Sequence, residues 1–339
     1  MKLSLPNFKK EFLDHVLEFL WDQWSAIGVS GHAGNPKGRV IDPEALLIFT
    51  TVFGRYEPRL FDEVLDWLRL NGDLINLQRL NNLYEDHDFG DLNVLAAMAD
   101  QLGDKAVLRK WRRVAALLDQ YGGNKPAPLF RAHDGSSLPI FGPHEERFAK
   151  FALIRGKFEF RGLSQRPNPT HPENLLFKLR SFFGLNARSE VILYLLTHSI
   201  SHPRRIAEQI GYSPRTVENT LNEMELSGMV FCRQQAREKL FWLKPEDWSF
   251  LTKGKIPVWP NWTFLLSSLH RVWKVIEQPG VADGSALLQA SEMRKALERI
   301  SREAAPAGHQ QWFSFPSGLT GESYLEAALQ ETLSVFKQL

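Results

Sequence analysis

Residues 202–230 read HPRRIAEQIGYSPRTVENTLNEMELSGMV, and no other stretch of the chain leaves its backbone so few options. Pro203 and Pro214 each suit a first helical turn, where a missing N–H costs nothing. Ser213, ahead of Pro214, is a strong N-cap. Gly211 and Gly228 are natural stops, because glycine takes the left-handed conformation that ends a helix. Two short helices separated only by Gly-Tyr-Ser must cross steeply. At about 100° per residue, Val217, Leu221 and Met224 fall in one narrow arc of the second helix. Ile206, Ala207 and Ile210 form the buried side of the first. Arg215, Asn219 and Asn222 lie opposite the apolar arc, with Thr216 and Glu223 at its edge. Met229 and Val230 begin a strand. The stretch FCRQQAREKLFWL that follows reads as two strands around a polar tip.

The spacing R-I-A-E-Q-I-G-Y-S-P-R-T-V-x-x-x-L-x-x-M-x-x-x-G-M-V, followed by a hairpin, resembles the winged helix-turn-helix of bacterial regulators of the MarR and ArsR type. The resemblance covers about residues 187–243. It implies that the second helix enters the major groove of double-stranded DNA while the wing reaches the backbone or minor groove. By that resemblance Arg215, Thr216, Asn219 and Asn222 face base edges, where Arg suits guanine and Asn suits adenine. His202, Arg204 and Arg205, at the start of the supporting helix, meet phosphate, as do Arg233, Arg237 and Lys239 on the wing. Two features depart from the family pattern. Glu218 and Glu223 flank the reading face, and His202 stands where Ser or Thr usually caps.

Around this unit the chain reads as mainly α. Asn7 is placed to cap a helix running to about Ile27. Asp42 and Pro43 open another, and helices follow over about 58–71, 74–83, 91–103 and 104–120. A Gly/Pro-rich connector over 122–172, with strand-like character at 145–165, separates an all-helical N-terminal domain (1–121) from the winged unit (173–255). A mainly helical C-terminal domain (256–339) carries helices at 262–277, 285–304 and 322–337, with a short strand near QQWFSF. The expected fold is therefore a multi-domain, mainly helical chain with one small antiparallel wing.

The charge is unevenly spread. Residues 1–120 hold 14 basic and 18 acidic side chains, residues 121–255 hold 20 and 13, and residues 256–339 hold 7 and 8. A basic middle suits a polyanionic partner. The single cysteine, Cys232, excludes an intrachain disulfide and a cysteine metal cluster, and fits a reducing compartment. The N-terminus lacks the pattern of a signal peptide. The longest apolar runs, ALLIF and VILYLL, are too short to span a bilayer. The expectation is a cytoplasmic protein with no membrane partner.

Other signals point less far. Asp86, His87, Asp88 and Asp91 combine metal-ligand types, but sit just before a helix, where acids are favoured by turn chemistry and the dipole. His133 and Asp134 lack a nucleophile at a recognisable spacing. No GxSxG, HExxH or dinucleotide fingerprint is present, so no enzyme, cofactor or metal is expected. Asn76, Gln78, Arg79 and Asn82 would make residues 74–83 a second reading helix, although no wing follows. Trp259, Trp262 and Trp273 are candidates for lining an effector pocket.

One winged helix reads only a few base pairs, so a regulator of this kind is expected to act as a homodimer on a palindromic site. Ala290, Met293, Leu297, Ile300 and Ala304, at spacings of three and four, are the candidate seam; the same stripe would equally serve packing within the C-terminal domain. The alternative to a DNA-binding regulator is an interaction or antitoxin-like protein whose winged helix docks a partner protein.

Overall fold

The computed structural model describes residues 3–103, 105–119, 125–309, 312–313 and 316–339. The chain is mainly helical, with a small antiparallel sheet. It begins with α1 (Leu5–Ala26), which starts two residues ahead of the expected Asn7 cap because Pro6 fits its first turn. Then come α2 (Pro43–Phe53), α3 (Pro58–Asn71), α4 (Leu77–His87), α5 (Leu92–Leu102) and α6 (Trp111–Asp119). Local chemistry sets several of these starts. Asp42 accepts the Ala45 N–H at 3.1 Å, and Asp91 accepts that of Val94 at 3.2 Å.

The connector holds little regular structure. β1 (Ala127–Pro128), α7 (Glu146–Ala149) and β2 (Leu153–Ile154) are all short, and β1 pairs with β2 in parallel. The strand character expected over 145–165 is realised mainly as extended chain laid on the helices. Asp66 of α3 holds it there by accepting the backbone N–H groups of Gly162, Leu163 and Ser164 at 2.7, 3.0 and 3.1 Å.

Next come α8 (Leu175–Phe183), α9 (Ala187–Thr197), α10 (Pro203–Ile210) and α11 (Pro214–Glu225). The hairpin of β3 (Phe231–Gln235) and β4 (Glu238–Trp242) follows. The chain closes with α12 (Ser249–Thr252), α13 (Trp262–Glu277), α14 (Ala286–Ala307) and α15 (Gly321–Gln338). The short strand expected near 310–315 falls largely outside the described residues. No helix among those described is long and apolar enough to cross a membrane.

Two apolar cores organise the molecule. One gathers Leu175, Leu179, Val191, Ile206, Val217, Leu221 and Phe241 from α8 through β4. The other joins both ends of the chain. Phe12 of α1 stacks on Trp273 of α13 at 5.7 Å and meets Phe336 of α15 edge-on at 5.2 Å. Phe19 lies 5.4 Å from Trp262. Residues 256–339, read from sequence as a domain apart, thus share their core with the N-terminal helices. The reason is that α1 and α13 each bury a wide apolar face that needs the other's. The candidate seam belongs to this core: Ala290, Met293, Leu297, Ile300 and Ala304 are all buried inside the chain. They are not a surface for a second copy.

Candidate nucleic-acid interface

α10 begins at His202, whose ring does the work of the missing Ser or Thr: Nδ1 accepts the Arg204 N–H at 3.2 Å. α10 ends at Gly211 in the left-handed conformation, φ 74°. A side chain there would also meet Leu83 of α4, since an added Cβ would lie 2.5 Å from its Cδ2. Glycine is demanded at this turn by both conformation and space. Ser213 then accepts the Thr216 N–H at 3.2 Å and starts α11.

On α11, Val217, Leu221 and Met224 are buried as the wheel requires, and Arg215, Thr216, Glu218, Asn219 and Glu223 are exposed. Four side chains were expected to face base edges, and their freedom differs. Arg215 and Asn219 make no hydrogen bond or ion pair with other described residues. Thr216 Oγ1 is 2.8 Å from the capping Ser213 Oγ. Asn222 is half-buried and accepts from Lys239 Nζ at 3.4 Å. Glu223 is paired with Arg188 of α9, so one of the two carboxylates that flank the reading face has a counter-charge beside it. Sequence reading missed Arg188, because its partner lies 35 residues away. Glu218 has no ion-pair partner among the described residues.

The hairpin lies against the same unit. Ser201 and Phe241 exchange backbone hydrogen bonds at 3.0 and 2.9 Å, which ties the start of α10 to β4. Gln235 pairs with Glu238 across a turn at Ala236–Arg237. Arg233, Arg237 and Lys239 are exposed on the hairpin, and Arg204 and Arg205 are exposed at the start of α10. Lys239 alone is brought onto the α11 face.

What fixes the turn between α10 and α11 is α4. Arg79 Nε donates to the Ile210 carbonyl at 2.8 Å, Asn82 Nδ2 to that of Gly211 at 3.1 Å, and Asn76 Nδ2 to the Tyr212 hydroxyl at 2.6 Å. These are three of the four polar residues that suggested a second reading helix. They are spent on a neighbour instead, and only Gln78 stays exposed.

Beneath the turn lies a buried charge cluster. Arg79 bonds both Asp42 oxygens at 2.7 and 2.5 Å and Glu44 at 2.7 Å. Arg180 bonds Glu44 at 2.8 and 2.7 Å and Glu190 at 2.6 Å. Three carboxyls face two guanidiniums. Burial pushes Asp42 up, but the Arg79 charge and hydrogen bonds outweigh it and hold that carboxyl below the usual range. Burial wins at Glu190, whose pKa is raised despite Arg180.

The other signals have ordinary places. Asp91 caps α5 and pairs with Arg55 at 2.9 Å, Asp88 pairs with Lys274 at 3.3 Å, and Asp134 accepts the Ser136 N–H at 2.8 Å in an exposed loop. The three tryptophans do not gather around one cavity. Trp259 packs on Tyr194, Trp262 donates to the Val40 carbonyl, and Trp273 alone lines an opening. Comparison of the chain with protein-family models, curated proteins and solved structures gives no match.

Proposed function

We propose that this chain is a DNA-binding transcriptional regulator whose residues 173–255 act as a winged helix-turn-helix. The observation that carries the reading is the outer face of α11. Arg215 and Asn219 stand there exposed with their donors uncommitted, opposite a fully buried stripe. Side chains with free bidentate hydrogen-bonding groups on a protruding helix are what base-edge readout requires. Arg204, Arg205, Arg233, Arg237 and Lys239 add the exposed positive charge that phosphate contact needs. The helix is presented rigidly, because α4 holds the turn that precedes it.

A second reading has its own support. Glu218 is exposed on the same helix with no ion-pair partner among the described residues, and Leu226 at its end is 89% exposed, a large apolar side chain left in solvent. Both suit a protein partner. The test is to retain sheared genomic DNA on the purified full chain, at low and moderate salt, and to sequence what is held. A recurring short sequence that survives the higher salt supports the regulator; two-fold symmetry in it would show two copies bound. No enrichment over the input sinks it and favours the protein-docking reading.

A further inference from the structure

Between α2, the loop at Arg131 and α13 is an open cavity of about 340 Å³, walled by Tyr56, Arg131, His270, Trp273, Lys274 and Glu277. We infer that it binds a small organic carboxylate, with the carboxylate toward Arg131, Lys274 and His270 and the hydrocarbon part against Val52, Tyr56 and Trp273.

The assignment rests on which polar groups are already used. Glu277 is already engaged by two cations and a hydroxyl: Lys9 lies 2.9 Å from one oxygen, while Tyr56 donates to the other at 2.9 Å and Arg131 approaches it at 3.5 Å. Asp91 is committed to Arg55 and to capping α5. Neither acid is left to receive a ligand's cation. The donors are in the opposite condition. Arg131 is shared between Glu277, at 3.5 Å, and the Tyr56 hydroxyl, and keeps 38% of its side chain exposed, so part of its five-donor fork is still open. Lys274 is half-exposed and, among the described residues, is tied only to the solvent-facing Asp88. His270 is 5% exposed, lines the cavity, and has no hydrogen-bond partner among the described residues. Neither ring nitrogen is shut off from solvent, so a ligand in the cavity can hydrogen-bond to the ring. Burial drives the His270 pKa down to about 4, so near neutral pH the ring is uncharged and donates from one nitrogen. A site with spare donors and spent acceptors selects a ligand that brings acceptors and negative charge. Tyr56 and Trp273 are apolar walls, which a bare inorganic anion would leave unused. The size is that of a small metabolite. The inference does not depend on whether α11 reads DNA.

The experiment is calorimetric titration of the full chain with acetate, hexanoate and phenylacetate, with 2-phenylethanol and inorganic phosphate as controls. Hexanoate or phenylacetate should bind saturably, acetate more weakly. Phenylethanol should bind about tenfold less well, the cost of one charge-assisted hydrogen bond. Arg131→Gln, at a half-buried position, and Lys274→Gln, at an exposed one, both checked for intact circular dichroism, should each lose a similar factor. The inference is overturned if neither larger acid binds at up to about 10 mM. It is equally overturned if both variants bind like wild type, or if phosphate or phenylethanol binds as tightly as the acids.

Discussion

Arg215 and Asn219 differ from their neighbours on α11 in having nothing to hold. Thr216 supports the Ser213 cap and Asn222 leans on Lys239, so either substitution would disturb more than the surface. Replacing Arg215 and Asn219 together with Ala should therefore leave the thermal midpoint unchanged. Affinity for a selected DNA fragment should fall by about 1–3 kcal/mol per lost base contact. Fluorescence anisotropy measures this directly, and an unaltered affinity would remove α11 as the reader. Residue identity was legible here because a helix wheel is local: Val217, Leu221 and Met224 define inside and outside without any knowledge of the rest of the chain. Which outer side chains are free was not legible, because Lys239 and Arg188 arrive from other elements.

At the scale of elements, the hairpin and α14 make opposite kinds of prediction. Arg237 and Lys239 are exposed on the hairpin. Neutralising either should weaken binding to all DNA sequences alike and lower the salt slope by about one. A loss confined to one sequence would instead make that residue a base reader. α14 carries no such surface on its apolar side. Leu297, 2% exposed, packs in the core shared by α13 and α15, so Leu297→Glu should cost at least about 3 kcal/mol by burying an unpaired charge. The expected result is loss of cooperative unfolding in urea. A folded protein with altered sedimentation would reinstate the seam. The periodicity of this helix was plain in the sequence, but periodicity reports only that a face is buried, not against what.

The whole molecule is held together by charge as well as by apolar packing. Asp42 and Glu44 come from the start of α2, Arg79 from α4, Arg180 from α8 and Glu190 from α9. The cluster therefore clamps the N-terminal helices to the unit that carries α11. Its acids should respond oppositely to pH. Asp42 has a folded pKa below its unfolded one, so it stabilises above the ordinary carboxylate range, and that contribution disappears as pH falls through the folded value. Glu190 has a raised folded pKa, so its contribution is present in acid and is lost as pH rises through that value. Asp42→Asn should hence destabilise at neutral pH and approach wild type in acid. Glu190→Gln, whose carbonyl still accepts from Arg180, should be more stable than wild type at neutral pH, with the gain vanishing in acid. Urea midpoints across the pH range check both signs; the same sign for both variants would refute this account of the cluster. α4 has a further position of note. Its first turn grips the α10–α11 turn, and Asp88, just past its last residue, pairs with Lys274 at the rim of the cavity.

By itself the sequence determined what depends on neighbours a few residues apart. It settled the caps at Asp42 and Ser213, the glycine stop at Gly211, the buried arc of α11 and the span of α13. These follow from backbone hydrogen bonds and side-chain direction within one or two turns, which the local residues decide. Signals for the rest were present but mute. Glu44 in PEALLIFTTVF, Arg180 in LLFKLRSFF and Glu190 in ARSEVILYLLT are charges inside apolar runs, where a buried partner is required. No spacing names that partner when it lies up to 136 residues away. Only the tertiary structure decided that α4 is a clamp rather than a second reader, that the two ends of the chain share one core, and that His270 and Arg131 meet at one cavity. Burial is a property of the assembled chain, and a helix's own pattern states that it must be buried without saying by whom.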